Sequence, residues 1–211
     1  GCEWGCFDYS QQEPRLVVHY ASLDQDSSVF NVKDSYEDGD ADFHTIVAKM
    51  ADIPRSAAKT INLGLFYGMG KAKLQAELGV SKDKAEELFT IYHERVPFVK
   101  KLMNSVANRA QQRGQIRTLL GRLCRFHLWE PNSFGMHKAL PFDQAVQEHG
   151  PGIKRAYTYK ALNKLIQGSA ADMTKKAMLE LHKEGITPHI QVHDELDISV
   201  INPLEAAKIK D

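Results

Sequence analysis

Apolar residues recur along this 211-residue chain with two different periods, and the change of period divides it into strand-like ends and a helical middle. Ile190-Gln191-Val192 and Leu196-Asp197-Ile198-Ser199-Val200 alternate every second residue, which predicts two strands joined by His193-Asp194-Glu195. Gly5 to Tyr9 reads as a short apolar strand ending on the carboxylate of Asp8, and Leu16 to Tyr20 as the buried first turns of a helix. From Asp24 to Asp42 the chain turns acidic and irregular, which predicts a surface excursion. Three or four helices follow. Pro54 suits a first helical turn, with Asp52 before it as the cap, and the helix runs to the glycines at Gly68 and Gly70.

A second helix starts at Ser81 and turns Leu88, Phe89, Ile91 and Tyr92 inward, and Pro97 opens a third that lasts to Arg113. Strand-like pieces from Gln115 to Phe126 flank a turn at Gly121. Two more helices, Ala156 to Gln167 and Ala170 to Lys183, are predicted with Gly168 as the break between them. No internal repeat or low-complexity segment occurs. The expected architecture is α+β: a small antiparallel sheet built from the two chain ends, a long helical insertion, and two lobes facing a cleft.

Composition narrows this further. With 43% apolar and 26% charged residues the chain is not wholly disordered. No apolar run approaches the roughly 18–20 residues of a membrane-spanning helix, so no membrane partner is expected. Gly1-Cys2-Glu3-Trp4-Gly5 lacks the features of a signal peptide. Three cysteines (Cys2, Cys6, Cys124) cannot all pair and form no Cys-x-x-Cys motif, so a reduced, cytoplasmic setting is expected. The start without Met, close upstream of a motif, reads as a piece of a longer protein. Net charge is zero but unevenly spread. Residues 1–52 carry 11 acids and 3 bases, residues 53–186 carry 11 and 22, and residues 187–211 carry 5 and 2. A basic middle suits phosphates and acidic ends suit cations; chance clustering on solvated faces is the plainer alternative.

Asp8 ends one strand and Asp194 sits on the turn of another, with Glu195 beside it. Were those strands neighbours, two or three carboxylates would meet at one sheet edge, a setting for magnesium and for two-metal phosphoryl transfer; as turn or cap residues they would do neither. Arg55, Lys59, Leu63 and Tyr67 follow one another in four-residue steps, each about 400° of helix, so they drift slowly around one face. Two cations and an aromatic on one face could hold a triphosphate and a base, or could simply be a solvated helix surface. Gly64 within that helix signals close approach by another group. Asn163 and Gln167, four apart, could read minor-groove acceptors. No Walker loop, His-Glu-x-x-His or Gly-x-Ser-x-Gly occurs, so those classes lack their signatures.

Taken together these segments resemble the family A DNA polymerases, the DNA polymerase I and phage replicase group. Asp8-Tyr9-Ser10-Gln11-Gln12-Glu13-Pro14-Arg15-Leu16 resembles its first carboxylate motif, and the run from Arg55 through Lys59, Leu63 and Tyr67 to Gly68 resembles its fingers helix. Thr118-Leu119-Leu120-Gly121-Arg122, the stretch from Asn163 through Gln167 to Asp172, and Gln191-Val192-His193-Asp194-Glu195 complete the series in order. The Gln12-Glu13-Pro14 variant looks more like a phage polymerase than a cellular repair enzyme.

The resemblance implies a right-hand fold without its thumb: palm at 1–23 and 169–211, fingers at 24–168. It implies template-directed addition of dNTPs to a primer 3′-hydroxyl, with two Mg2+ ions (Mn2+ as a substitute) held by Asp8, Asp194 and the Tyr9 carbonyl. Arg55 and Lys59 would bind the triphosphate, Lys59 protonating the pyrophosphate, with Gln11, Leu63 and Tyr67 also at the nucleotide. Glu13, bonded to Tyr67, would gate against a ribose 2′-hydroxyl. Arg15, Asn163, Gln167 and His193 would contact primer-template DNA. A processivity factor or replisome proteins would be further partners, in an infected bacterial cell. An inactive DNA-binding fragment and a two-metal nuclease are the alternatives. Two departures stand out: Tyr159 replaces an Arg common in cellular members, and Leu63 a Phe or Tyr.

Overall fold

The computed structural model describes residues 2–24, 27–37, 42–66, 71–133 and 135–210. The chain ends build one sheet, as the alternation predicts. Strand β1 (Glu3–Asp8) leads into helix α1 (Gln12–Leu23), whose Leu16, Val17, Val18 and Ala21 are buried. The described part of the acidic stretch after Asp24, residues 27–37, is not a surface excursion. A 3-10 turn at Ser27–Val29 and helix α2 (Phe30–Glu37) occupy it, and Val29 and Val32 are completely buried. Three-residue spacing puts both valines on one helix face, so a few apolar residues outweigh an acidic average.

Helix α3 (Phe43–Ala51) is capped by the Asp42 side chain, which accepts from the Thr45 N–H at 3.2 Å. Asp52 does not cap the following helix. It ends α3 in the left-handed conformation (φ 55°), its N–H donating back to Ala48 and Lys49, and Pro54 stands at the start of α4 (Arg55–Phe66). The expected glycine stop at Gly68 to Gly70 lies outside the described residues. Helices α5 (Lys71–Leu78), α6 (Lys82–Arg95) and α7 (Pro97–Arg113) follow, α6 capped by Ser81 and α7 opened by Pro97 as expected. The close approach signalled by Gly64 is to Leu74 of α5, 3.0 Å from where a Cβ would lie.

Strands β2 (Gln115–Arg117) and β3 (Leu123–Arg125) form the hairpin around Gly121. The sequence pattern did not predict the next unit: β4 (Leu128–Pro131), β5 (Leu140–Pro141), α8 (Phe142–His149) and β6 (Ile153–Arg155), a three-stranded sheet in the order β5-β4-β6. Strands of two to four residues are too short for a period to declare itself. Helix α9 (Ala161–Lys183) then runs unbroken for 23 residues, through Gly168. Strands β7 (Ile190–Val192) and β8 (Glu195–Val200) and helix α10 (Pro203–Lys210) close the chain, with the sheet order β1-β8-β7, antiparallel throughout. The largest buried cluster sits among α1, α3, α4, α6, α7 and α9, around Phe43, Phe66, Tyr92, Phe98, Leu162 and Ile166.

Gly168 is not a hinge but a contact point. A Cβ there would lie 2.7 Å from the Thr118 methyl, so the β2–β3 turn approaches α9 more closely than any side chain permits. Elsewhere in a helix Gly→Ala stabilises by about 1 kcal/mol. Here Gly168→Ala is expected to destabilise by about 1–2 kcal/mol through overpacking. Adding Thr118→Ser, which removes the methyl and keeps the hydroxyl, should restore most of the loss; urea denaturation of the single and double variants checks both.

Candidate active site

Val192 pairs with Glu195, so His193 and Asp194 form a two-residue turn between β7 and β8. A turn this tight needs a positive φ, and His193 supplies it at 57°. Asp194 is thereby set against the end of β1. The Tyr9 N–H donates to the Asp194 carbonyl at 3.4 Å, and Asp8 stands opposite Glu195 in the ladder. Burial pushes the Asp8 carboxyl up from its ordinary range, and the Asp194 charge beside it pushes further. The predicted convergence of the two aspartates is present. Two carboxylates at one sheet edge offer oxygen donors of the kind that suits a hard divalent cation.

The same strand parity brings in two groups that sequence reasoning missed. Cys6 faces Asp197 across the ladder, and Cys6, Glu195 and Asp197 offer ligand atoms within 4.8 Å of one another. One Asp197 carboxylate oxygen is buried and, among the described residues, makes no hydrogen bond. The signal was available: Cys6 and Asp197 lie two residues from Asp8 and Glu195, hence on their face of the sheet.

Gln11 starts α1 in the left-handed conformation, φ 54°. Its side-chain carbonyl accepts from the Phe43 N–H at 2.8 Å and the Tyr36 hydroxyl at 3.1 Å, so it ties the end of β1 to the start of α3. Glu13 lies in the first turn of α1, half-buried. Arg15 donates from Nε to the Ser10 carbonyl at 2.9 Å and lays its guanidinium over the Tyr36 ring at 4.6 Å. An open cavity of about 470 Å³ lies alongside, lined by Tyr9, Arg15, His19, Leu119 and Met173.

Arg55 and Lys59 are exposed on α4 and Leu63 is half-buried, while Tyr67 lies outside the described residues. Arg55 donates from Nε to the Asp42 carboxylate at 2.7 Å and to the Thr45 hydroxyl at 3.1 Å. His44 is a further residue that no motif reading picked out. It lies within electrostatic reach of Asp42, Arg55 and Lys59. Its separation from α4 in sequence concealed it.

Asn163 and Gln167 are accessible on α9, one turn apart. The Thr118–Arg122 segment holds that helix in place. Arg122 donates to Asp172 at 2.9 Å and to the Gly168 carbonyl at 2.7 Å, and the Leu119 N–H donates to the Ser169 hydroxyl at 3.0 Å. Ser169 also bonds the Tyr20 hydroxyl of α1 at 2.8 Å. Tyr159 is exposed, with the Lys160 ammonium 5.5 Å from its ring.

Paired carboxylates thus stand at one sheet edge, two cations on the face of α4 and two amides on α9. The family model for DNA polymerase family A matches residues 2–210, and the chain belongs to that family. It is 34% identical to a DNA-directed DNA polymerase of Pseudomonas phage M6, over 99% of this chain and 34% of that protein. It is 31% identical to DNA polymerase I of Helicobacter pylori, over 90% of this chain and 20% of that protein. The chain thus spans about a third or less of the length of these curated relatives. A solved structure of the POL domain of Pol1 from M. smegmatis, in complex with DNA primer-template and dNTP, superposes with a TM-score of 0.72 at 26% identity. That match covers 99% of this chain and 35% of the other. No helix among the described residues is long and apolar enough to cross a membrane.

The Asp42–Arg55 pair has a pH signature. Desolvation alone would push the Asp42 carboxyl up, but hydrogen bonds from Arg55 and Thr45 and the Arg55 and His44 charges outweigh it and hold it at about 2. A folded-state pKa below the unfolded value stabilises the fold above the unfolded pKa, and that contribution is lost as pH falls through the folded one. Wild-type stability is therefore expected to fall between about pH 4 and pH 2 partly on this account. Asp42→Asn should flatten that part of the profile in thermal denaturation across the acid range.

Proposed function

We propose that this chain is the palm-and-fingers core of a phage-type, template-directed DNA polymerase, adding deoxynucleotides to a primer 3′-hydroxyl and releasing pyrophosphate inside an infected bacterial cell. The observation that carries this reading is the β1–β8 ladder, which sets Asp8 beside Asp194. Through Gln11, the end of that ladder is tied to α3, whose cap Asp42 holds Arg55. Carboxylates and phosphate-binding cations are thus joined by a short series of contacts. The primer-template and dNTP in the M. smegmatis Pol1 structure, and the name of the phage relative, support the substrates. In this reading the palm comprises 1–23 and 169–211 and the fingers 24–168, the border falling inside α9.

Asp8, Asp194 and the Tyr9 carbonyl would hold two Mg2+ ions, or Mn2+ in their place. The like-charged aspartates fit this role, since the raised Asp8 pKa reports a site that a cation relieves. Ions held by these residues would supply charge neutralisation for phosphoryl transfer. The chain's own groups position the rest. Arg55, exchanging Asp42 for phosphate, and Lys59 grip the triphosphate, with His44 beside them, and Lys59 gives a proton to the departing pyrophosphate. Glu13 fills the space of a 2′-hydroxyl, supported by Tyr67, and Gln11 serves the nucleotide by anchoring α3. Arg15, His193, Asn163 and Gln167 contact primer and template, the amides through minor-groove acceptors that every correct pair presents. A two-metal nuclease has no use for the Arg55–Lys59 face.

Primer extension with Mg2+ tests the assignment. Asp8→Asn and Asp194→Asn should each abolish it while leaving the metal-free fold as stable as wild type or more so. A group whose folded pKa is raised loses stabilisation as pH rises through that pKa, so ionised Asp8 is a cost that Asn removes. Mg2+ should raise the melting temperature of wild type and not of either variant. Near-normal extension by a folded variant would overturn the two-metal reading.

Leu63 has no hydroxyl to replace the 3′-hydroxyl missing from a dideoxynucleotide. Strong preference for dNTP over ddNTP is expected, and Leu63→Tyr should raise ddNTP incorporation in competition assays. Equal termination by both proteins would make Leu63 a packing residue.

A further inference from the structure

Behind the cationic face of α4 lies a chain of buried polar groups that neither the carboxylates nor the DNA contacts use. Tyr92, on α6, is fully buried, and its hydroxyl donates to the side-chain carbonyl of Asn62 on α4. Asn62 is itself fully buried, and its Nδ2 lies 3.0 Å from Nδ1 of His44 on α3. Three helices are thus linked by two hydrogen bonds ending on the imidazole beside Arg55 and Lys59.

The direction of these bonds follows from the groups themselves. Burial pushes the Tyr92 phenol far above its ordinary range, so it keeps its proton and must place it. An amide NH2 cannot accept that proton, whereas the Asn62 side-chain carbonyl does. The Asn62 carbonyl therefore faces Tyr92 and its NH2 faces His44. An NH2 group only donates, so His44 Nδ1 must accept, and the single ring proton of a neutral imidazole then sits on Nε2.

We propose that Asn62 and Tyr92 are positioning residues that hold His44 in its neutral, Nε2-protonated form, so that the fingers present an uncharged N–H donor to an oxygen of the incoming triphosphate. This rests on the reading of Arg55 and Lys59 as the triphosphate site. The charges around His44 agree with it. Burial lowers its pKa, Arg55 and Lys59 lower it further, and Asp42 alone opposes them. Protonating Nδ1 would also set two donors, N–H against N–H, across the 3.0 Å contact. A neutral donor near two cations grips phosphate directionally without adding a third positive charge that the leaving pyrophosphate would have to escape.

Histidine-ring 15N NMR of the wild-type chain near neutral pH tests this directly. The expected spectrum shows His44 Nδ1 as a bare, acceptor-type nitrogen and Nε2 as the protonated one. Addition of dNTP with Mg2+ should shift the Nε2 signal. Tyr92→Phe, which removes one hydroxyl and lets the Asn62 amide turn, should mix the two tautomers and weaken dNTP binding about fivefold, the effect of one ordered hydrogen bond. Asn62→Asp should reverse the tautomer, the carboxylate drawing the proton to Nδ1, and raise the His44 titration midpoint. A proton on Nδ1 in wild type would overturn the proposal even if neither variant folded, as would an unchanged tautomer and affinity in Tyr92→Phe. Binding of dNTP that perturbs Arg55 and Lys59 but not His44 Nε2 would overturn this inference alone. A complete absence of dNTP binding would overturn the polymerase reading with it.

Discussion

The antiparallel ladder between residues 3–8 and 195–200 is the constraint on which the rest of the molecule depends. It joins segments nearly 190 positions apart, and its register decides which side chains share a face. A slip of one residue would send Asp8 to the opposite face from Glu195 and Asp197. The two-residue turn at His193-Asp194 in the same way sets the offset of β7 on β8. From the end of this ladder the left-handed Gln11 redirects the chain into α1, and its amide holds the start of α3. The carboxylate edge is therefore tied to the start of α3.

Opposite this edge, α9 is held by groups that also explain two small residues. Ser169 and Asp172 are buried polar side chains on that helix, and both are satisfied by the Thr118–Arg122 turn. An isolated buried carboxylate would be costly, but Arg122 pairs with Asp172 through Nε and Nη2, and its Nη2 also donates to the Gly168 carbonyl. The turn can come this near only because residue 168 lacks a side chain. This conserves the line of α9 between its accessible amides, Asn163 and Gln167, and the pocket wall at Met173.

Helices α3, α4 and α6 combine exposed cations with a buried polar interior. Arg55 is half-exposed and restrained by Asp42, a pairing that solvent weakens and a polyanion can replace. Asn62 and Tyr92 lie in a low-dielectric interior where an unmade hydrogen bond is expensive, so their geometry is far more firmly set. The arrangement couples an adaptable ion pair at the surface to a rigid polar support beneath it, with His44 at the junction.

Much of this was legible in the amino-acid sequence. The period-two ends, the helix starts at Ser81 and Pro97, the Gly121 hairpin and the four-residue steps of Arg55, Lys59 and Leu63 depend on local backbone geometry, which neighbouring residues carry. The motif order identified the family for the same reason. What local pattern could not decide were matters of packing between distant segments. Val29 and Val32 joined the core although their surroundings are acidic, and Gly168 stayed helical because the β2–β3 turn fills the space beside it. The short strands β4 to β6 exist only through one another. Cys6 with Asp197, and His44 with Asn62 and Tyr92, are brought together by a ladder and by helix packing across tens to hundreds of positions. A sequence specifies the period of each element by itself, but the partner of a buried polar group is chosen only when those elements meet and water is excluded between them.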